Sequence, residues 1–301
     1  MAELEKVYAK QYGANIYQMA QQRVSKLRNL VTLESMKGEI AFFERVHPTS
    51  AVRRTSKYSD SPMIETKFDR RALHAQEYEW GDMLDWTDDL NLFIDPTSSI
   101  TSAGSYGLGR VIDDIIIRDG FEGDAYEGKN GTTVVPFPEK QIIPITAGSS
   151  SAQNTGMSIE KLRLAKSLFG KADIDLDDPN NKLYMAISQD QEDDLLRTTE
   201  VTSADYAAVK ALVNGTINSF MGFEFVRTQR LTRTQLDSGF SRNCVAWCKS
   251  GIKLALPQEI TMRVSERGDK GYNWYAYAKM KGGCTRIEDE KVVHVPCYEV
   301  E

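Results

Sequence analysis

Histidine and cysteine, two residue types common in catalytic and metal sites, are scarce in this sequence. Its 301 residues include only three histidines and four cysteines. The histidines, His47, His74 and His294, lie far apart, and none has an acid, serine or cysteine at the spacing of a catalytic motif. Gly-x-Ser-x-Gly, Walker A and His-Glu-x-x-His motifs are all missing. Because these are the common signatures of hydrolases, nucleotide-binding enzymes and zinc peptidases, we predict that the protein is not an enzyme and uses no cofactor.

Long apolar runs and an excess of basic residues are missing as well. No stretch approaches the roughly 18 uninterrupted apolar residues of a membrane span, and no basic region followed by an apolar run opens the chain. Against 37 basic residues stand 43 acidic ones, which gives a net charge of −6, whereas nucleic-acid binders cluster positive charge. We therefore expect a cytosolic protein with reduced cysteines, no membrane contact and no adhesive surface for nucleic acid.

Two clusters deserve comparison with known metal sites. Asp173, Asp175 and Asp177 alternate as in a calcium loop, but Asp178 and Tyr184 stand where that loop needs glycine and glutamate. A solvated acidic loop is the preferred interpretation. The second cluster offers soft ligands for zinc, although its spacing is not that of a zinc knuckle. Its members, which ordinary buried thiols explain better, are Cys244, Cys248, Cys284, His294 and Cys297.

The most unusual part of the sequence lies between residues 38 and 80. Residues 39–47 read as a strand, and 48–62 form a polar, basic tip. Residues 64–80 continue without glycine or proline, and 17 extended residues would span about 55 Å. A two-stranded projection of that length needs a partner to be stable. We therefore favour an arm that binds other chains over two ordinary strands interrupted by a loop.

The rest of the chain predicts a mixture of helices and strands of the α+β class. An amphipathic helix is predicted over 3–31, either docked on the core or reaching a neighbouring subunit. Further elements are predicted as follows: a glycine-containing helix from Asp95 to Gly120, a hairpin over 123–146 with an Asn130-Gly131 turn, a helix over 158–169 capped by Ser158, a helix over 203–213, a strand over 244–256, a turn at Gly282-Gly283 and a final strand over 291–295. The aromatic strand 272–277 could stack nucleobases, but packing within a sheet explains it better.

The order of several short motifs resembles the major capsid proteins of tailed bacteriophages, which have the Hong Kong 97-type fold. The resemblance runs nearly end to end and rests on shared order and spacing. Its pieces include Asn15-Ile16-Tyr17-Gln18-Met19-Ala20, Gly38-Glu39-x-Ala41-Phe42-Phe43-Glu44-Arg45-Val46, Asp69-Arg70-Arg71, Tyr78-Glu79-Trp80-Gly81-Asp82, Ile94-Asp95-Pro96-Thr97-Ser98, Gly222-Phe223-Glu224-Phe225, Ala246-Trp247-Cys248-Lys249-Ser250-Gly251, Glu266-Arg267-x-Asp269-Lys270 and Gly283-Cys284-Thr285-Arg286.

This resemblance implies a division of the chain into four segments. Residues 1–37 would form an N-arm helix, and 38–82 an extended loop that lies across a neighbouring subunit. Residues 83–139 and 256–301 would form the peripheral domain with its spine helix. Residues 140–255 would form the axial domain.

The implied function is structural. The chain would self-assemble as pentamers and hexamers into an icosahedral shell around double-stranded DNA, with the virion capsid as its location and the host cytoplasm before assembly. Partners would be other copies, the portal protein, a scaffolding protein and a decoration or cement protein. The residues expected at intersubunit contacts are Phe42, Phe43, Arg53, Arg54, Lys57, Phe68, Arg70, Arg71 and Trp80. The sequence leaves open a bacterial nanocompartment shell and, less favoured, a soluble metal-dependent enzyme.

Overall fold

A computed structural model describes residues 21–58, 60–61, 63–84, 96–149, 153–176, 178, 181–197, 219–237 and 239–299 of the chain. It divides into two compact units. Among the described residues, the first unit contains those within 21–25, 77–111 and 258–281, and the second contains those within 26–76, 112–257 and 282–299.

Fourteen strands are present in the described residues. In chain order they are β1 (Thr32–Glu34), β2 (Ile40–Val46), β3 (Phe68–His74), β4 (Gln76–Leu84), β5 (Ala125–Glu127), β6 (Thr133–Val135), β7 (Leu183–Ile187), β8 (Ser219–Phe220), β9 (Phe223–Arg227), β10 (Arg233–Leu236), β11 (Gly239–Cys248), β12 (Ile252–Arg267), β13 (Asn273–Arg286) and β14 (Val292–Glu299).

Three α-helices accompany these strands. They are α1 (Pro96–Ile115), α2 (Ile159–Lys171) and α3 (Gln189–Arg197), and α1 runs on into a π-helical turn, Ile116–Glu122. Ser158 caps α2 as its sequence predicts, because the Ser158 hydroxyl accepts a hydrogen bond from the Lys161 backbone N–H at 3.3 Å. None of the helices in the described part of the chain combines the length and apolar content that a membrane crossing requires.

A six-stranded sheet forms the core of the second unit. Strand β11 pairs antiparallel with β14 along one of its own edges, and with β10 and β7 along its other edge. Strand β7 also pairs in parallel with β9. All five residues of β7 are buried, so the sheet is covered on both faces at this strand. Trp247 at its centre is fully buried, and its indole N–H donates to the Leu30 carbonyl at 3.0 Å.

The same unit holds a four-stranded sheet in the order β2-β3-β5-β6. The β5–β6 hairpin confirms the predicted Asn130-Gly131 turn, where Gly131 has φ +66°. Glycine is required there for a second reason, because a Cβ atom would lie 2.5 Å from the Ala72 Cβ. In the first unit β12, β13 and β4 are neighbours, and in the second β1 pairs in parallel with the start of β12.

The predicted helix over 3–31 is wrong for its last part, and residues 3–20 lie outside the described residues. Between residues 21 and 31 the only helical turn is a 3-10 turn, Arg28–Leu30, which is followed by β1. The buried Asp113 carboxylate accepts hydrogen bonds from the backbone N–H groups of Lys26 and Leu27, both at 3.1 Å. A continuous helix would need those donors for its own carbonyls, so the tertiary contact replaces the helix.

The extended run predicted over 64–80 is strand from residue 68 onward except at Ala75, but it does not project freely. The chain forms β3 and then β4, and Ala75 between them donates its N–H to the Glu39 carbonyl at 2.9 Å. Strand β3 pairs with both β2 and β5, so the base of the hairpin is covered by its own chain. The projection therefore begins later than the sequence predicts, at residues 47–67.

Two further boundaries differ from the sequence prediction. The strand expected over 244–256 is divided by a 3-10 turn, Lys249–Gly251, into β11 and β12. The turn expected at Gly282-Gly283 does not occur, because both glycines lie inside β13. A Cβ on Gly283 would lie 2.3 Å from the His74 carbonyl oxygen, so this glycine serves close packing. The helix expected over 203–213 lies outside the described residues.

Candidate intersubunit surfaces

The base of the long hairpin is a regular antiparallel ladder. Its register is unbroken from the Ile40–His74 pair to the Val46–Phe68 pair. The ladder continues across the sheet, with Ala72 opposite Tyr126 on β5, and Tyr126 opposite Val134 on β6. Because residues directly opposite each other share a face, this register assigns every side chain to one of two faces. We call them the outer face, which carries Phe42, and the inner face, which carries Phe43.

Ion pairs hold the inner face to the rest of the chain. The Arg45 guanidinium donates to Asp69 at 2.6 and 2.8 Å, and to the Ile287 carbonyl at 2.6 Å. It also forms an ion pair with Glu127. The hydrogen bond from Arg45, helped by one from His47, holds the pKa of the Asp69 carboxyl below its usual value. The loop base is thereby fixed to β5 and to the segment after β13.

Arg71 extends this network into the interior. Its side chain is 1% exposed, and its Nη2 donates to Asp289 at 2.7 Å, while Nε lies 3.1 Å from Glu127. The fully buried Arg286 donates to the other oxygen of Asp289 at 2.5 Å. Burial lowers the pKa of Arg71. One carboxylate thus joins two buried cations, and removing it would leave both without their shared partner.

The outer face of the same sheet is apolar and exposed. Phe68 is 69% exposed and Phe42 40%. Register places them on one surface with further large apolar side chains that are also exposed, namely Ile40, Val46, Tyr126 and Val134. Polar side chains interrupt this surface at two places. The Glu44–Arg70 pair lies at 3.2 Å, with its guanidinium 5.6 Å from the Phe42 ring centroid, and His74 lies opposite Ile40 with its ring 4.9 Å from that of Tyr126. A surface of this kind usually marks an interaction site.

The tip of the hairpin, residues 47–67, carries a second exposed surface. Its side chains include Met63, which is fully exposed, and Tyr58, which is 89% exposed, together with Val52 and Ile64. Arg54 bends back onto the tip, donating from Nε to the Ser56 carbonyl at 2.9 Å. Arg53 and Lys57 are exposed. The tip therefore combines apolar side chains with positive charge.

Trp80 belongs to the first unit rather than to this sheet. It lies on β4 and is partly buried. A Cβ on Gly104 of α1 would lie 2.5 Å from the Trp80 ring, so glycine lets the helix approach the indole. Gly104 therefore serves close packing between α1 and β4.

The nine residues expected at contacts thus fall into four groups. Phe42, Phe68 and Arg70 share the outer face, and Arg53, Arg54 and Lys57 lie at the tip. Phe43 and Arg71 point inward and pack within the chain, Phe43 against a cluster that includes Leu73. Trp80 packs on α1. The outer face also exposes Ile40, Val46, Tyr126 and Val134, which are not among the nine expected residues. Strand alternation on β2 could have indicated the first two.

The model of a phage capsid protein family matches residues 4–299. The chain belongs to this family.

Solved structures agree with that membership. The capsid structure of the cyanophage P-SCSP1u is 15% identical, with 99% of this chain and 94% of that chain covered at a TM-score of 0.69. The capsid of Ralstonia phage GP4 is 9% identical, with 100% of this chain and 98% of that chain covered at a TM-score of 0.70. A structure from Mycobacterium phage Che8 is 16% identical, with 96% of this chain and 97% of that chain covered at a TM-score of 0.67. No curated protein was matched as a relative. At such low identities these structures establish the fold, which is the capsid fold that the motif order predicts.

Family and fold together define the role of the protein. It is a phage major capsid protein, the structural subunit of an icosahedral shell, and its location is the capsid of the virion. The mixed helix and sheet content confirms the predicted α+β class.

In this capsid protein the side chains of the possible zinc cluster are buried and packed within the chain. All four cysteines are free and buried, and burial raises the pKa of the Cys244 and Cys284 thiols. The His294 ring nitrogen Nε2 lies 2.9 Å from the Phe121 carbonyl, and the ring stacks on Phe137 at 3.7 Å. Its pKa is lowered to about 4, mainly by burial. Across the described ranges, no group of three histidine, cysteine or acidic residues could hold a metal ion.

The other two patterns also find structural explanations. In the acidic loop, Asn181 donates to the Asp175 carbonyl at 2.8 Å, while Asp177 lies outside the described residues. In the aromatic strand, Tyr275 and Tyr277 stack at 6.1 Å, and the Tyr277 hydroxyl donates to Glu79 at 2.8 Å. A Cβ on Gly81 would lie 2.2 Å from the Tyr275 hydroxyl. The rings thus pack within their own unit.

Proposed function

We propose that the chain self-assembles as pentamers and hexamers that close into the shell around a double-stranded DNA genome. The observation that carries the proposal is the concentration of exposed apolar side chains on one region. Among the described residues, ten of the eighteen exposed large hydrophobic side chains lie on the outer face or the tip. Fully burying one such side chain contributes about 1.5–3 kcal/mol, so contacts there would outweigh the exposed ion pairs at about 0–1 kcal/mol each.

The proposal includes the four segments defined by position in a shell: N-arm 1–37, extended loop 38–82, peripheral domain 83–139 with 256–301, and axial domain 140–255. These differ in kind from the two compact units, which follow from contacts within one chain. In the proposed shell the loop and N-arm cross subunit boundaries. Heterologous contacts of this kind close into rings.

We also propose that the protein has no catalytic activity and needs no cofactor. Its partners would be further copies, a portal protein, a scaffolding protein and a decoration or cement protein, and it would reside in the host cytoplasm before assembly. The net charge of −6 supports a lining that does not hold DNA, because like charges repel.

The test is assembly of the purified full chain, alone and with a scaffolding protein, followed by light scattering and negative-stain imaging. We expect shells, tubes or rings of five or six subunits. A stable monomer or dimer under both conditions at high concentration would contradict the proposal. Phe68→Asp should abolish assembly, whereas Leu164→Asp, at an exposed site on α2, should not. Circular dichroism of both variants separates failed assembly from failed folding.

A further inference from the structure

Three sulfur atoms meet in the core of the second unit. The register of β11 and β14 places Cys297 opposite Arg242, two positions along β11 from Cys244. Paired residues, and residues two positions apart on a strand, share a face, so the two cysteines lie on the same face of the sheet. The Cys244 thiol is hydrogen-bonded to the Cys297 thiol, and the Cys297 sulfur lies 3.9 Å from the Met157 thioether sulfur. All three side chains are buried, so two thiols and one thioether form a cluster that is closed to solvent.

The same register disfavours a disulfide between these cysteines. They are diagonal rather than directly opposite, and diagonal neighbours in an antiparallel pair lie about 7–8 Å apart at Cα. Cysteines whose Cα atoms are more than about 7 Å apart need backbone movement to form a bond. Both remain free thiols, and that of Cys297 donates a hydrogen bond to the Val295 carbonyl at 3.3 Å. The cluster therefore suits an ion held between its sulfur atoms better than a sulfur–sulfur bond.

A buried ammonium group beside the cluster is held by neutral partners. Lys161 on α2 is fully buried, and its Nζ donates to the Thr155 and Pro296 carbonyls, both at 2.8 Å. The ionisable groups that act on its charge are the two cysteines and Asp194. An ammonium buried away from water is stabilised by nearby negative charge. This lysine therefore favours the formation of an anionic group at the sulfur atoms.

We propose that Cys244, Cys297 and Met157 form a binding site for one soft monovalent metal ion, Cu(I). Thiolate and thioether sulfur select Cu(I), whereas a structural zinc ion takes four ligands. With metal–sulfur bonds of about 2.3 Å, three sulfur atoms around one ion lie about 4 Å apart. The contact between Cys297 and Met157 at 3.9 Å matches that separation.

Binding replaces the two thiol protons by the metal ion. Each thiol gives up its proton to water while its sulfur forms a bond to Cu(I), so two protons leave and no electron is transferred. The complex of Cu(I) with two thiolates carries one negative charge, which the Lys161 ammonium balances. Because the sulfur atoms already pack together without the ion, the ion is a ligand of the folded chain and not a requirement for folding.

Anaerobic titration of the purified full chain with Cu(I) tests the site, with bicinchoninate as the competing ligand and long equilibration so that local opening admits the ion. The wild-type chain should bind one ion and release two protons for it. Cys297→Ser should abolish binding, and Met157→Leu, which keeps an apolar side chain, should weaken it by about 10–100-fold. The matched control is Cys248→Ser, because Cys248 lies on β11, is equally buried and contacts the Asn181 and Ser250 oxygens. This variant should bind Cu(I) as the wild type does.

Three results would overturn the proposal. They are absence of a bound ion in the wild type, unchanged binding in Cys297→Ser, and loss of binding in a folded Cys248→Ser. Circular dichroism establishes the fold of each variant. If Cys297→Ser does not fold, Cys244→Ala takes its place and should also abolish binding. Shell assembly requires no metal ion in the proposed function, so none of these results bears on it.

Discussion

The six-stranded and four-stranded sheets of the second unit bury their residues differently. Every residue of β7 is buried within the chain, whereas β2 alternates between exposed and partly buried residues. Strand β7 is thus satisfied within the chain. The four-stranded sheet has ion pairs on its inner face and large exposed apolar side chains on its outer face. We propose that the first sheet stabilises the subunit and that assembly completes the second.

Truncating one large side chain of each sheet, buried in the first and exposed in the second, should give the largest difference in unfolding free energy. Trp247→Ala should cost about 3–5 kcal/mol of unfolding free energy, because it removes the fully buried indole of the six-stranded sheet. Phe68→Ala on the outer face should leave the unfolding free energy of the unassembled subunit within about 0.5 kcal/mol. Chemical denaturation of both variants measures this. A large loss for Phe68→Ala would show that the outer face is already packed.

Removing a charge from the buried ion pairs of the inner face should lower the unfolding free energy as much as truncating a core side chain does. Asp289→Ala removes the carboxylate shared by Arg71 and Arg286. It should cost about 3–5 kcal/mol because two buried cations lose the partner that they share. Asp119→Ala, which breaks the more exposed pair with Arg118, should cost about 0–1 kcal/mol. Equal losses in denaturant midpoints would refute the distinction between the two pairs.

Acid should weaken the two sheets in different pH windows. The pKa of His294 on β14 is lowered to about 4 from 6.5. As the pH falls, His294 therefore binds a proton in the unfolded state before it does so in the folded state. Stability should therefore fall by up to about 3 kcal/mol between pH 6.5 and 4. The pKa of Asp69 lies below its ordinary value, so its contribution is present above pH ~4 and is lost below it. Denaturation of His294→Gln and Asp69→Asn across pH checks both windows; a wild-type profile in His294→Gln would contradict the first.

The smallest effect is expected at the ion pair on the outer face. Glu44→Gln breaks the contact with Arg70, and it should change the unfolding free energy of the isolated subunit by less than about 0.5 kcal/mol, since both partners are solvated. Its effect should appear instead in the salt dependence of assembly, followed by light scattering. A stability loss above 1 kcal/mol would place Glu44 in the fold rather than on a contact surface.

Local signals in the sequence determined the elements that depend on local physics. The Asn130-Gly131 turn, the Ser158 cap and strand β2 follow from backbone preference, capping and alternation, all of which act within a few residues. The order of motifs along the chain also determined the family.

Only the tertiary structure decided where long-range contacts override those preferences. Asp113 takes the donors of Lys26 and Leu27 and ends the predicted helix. The His74 carbonyl packs against Gly283 and keeps two glycines inside a strand rather than in a turn. The division of Phe42 from Phe43, and of Arg70 from Arg71, follows from the pairing of β2 with β3. Because side chains alternate with a period of two, one residue of register decides which of them face a neighbour and which stay inside.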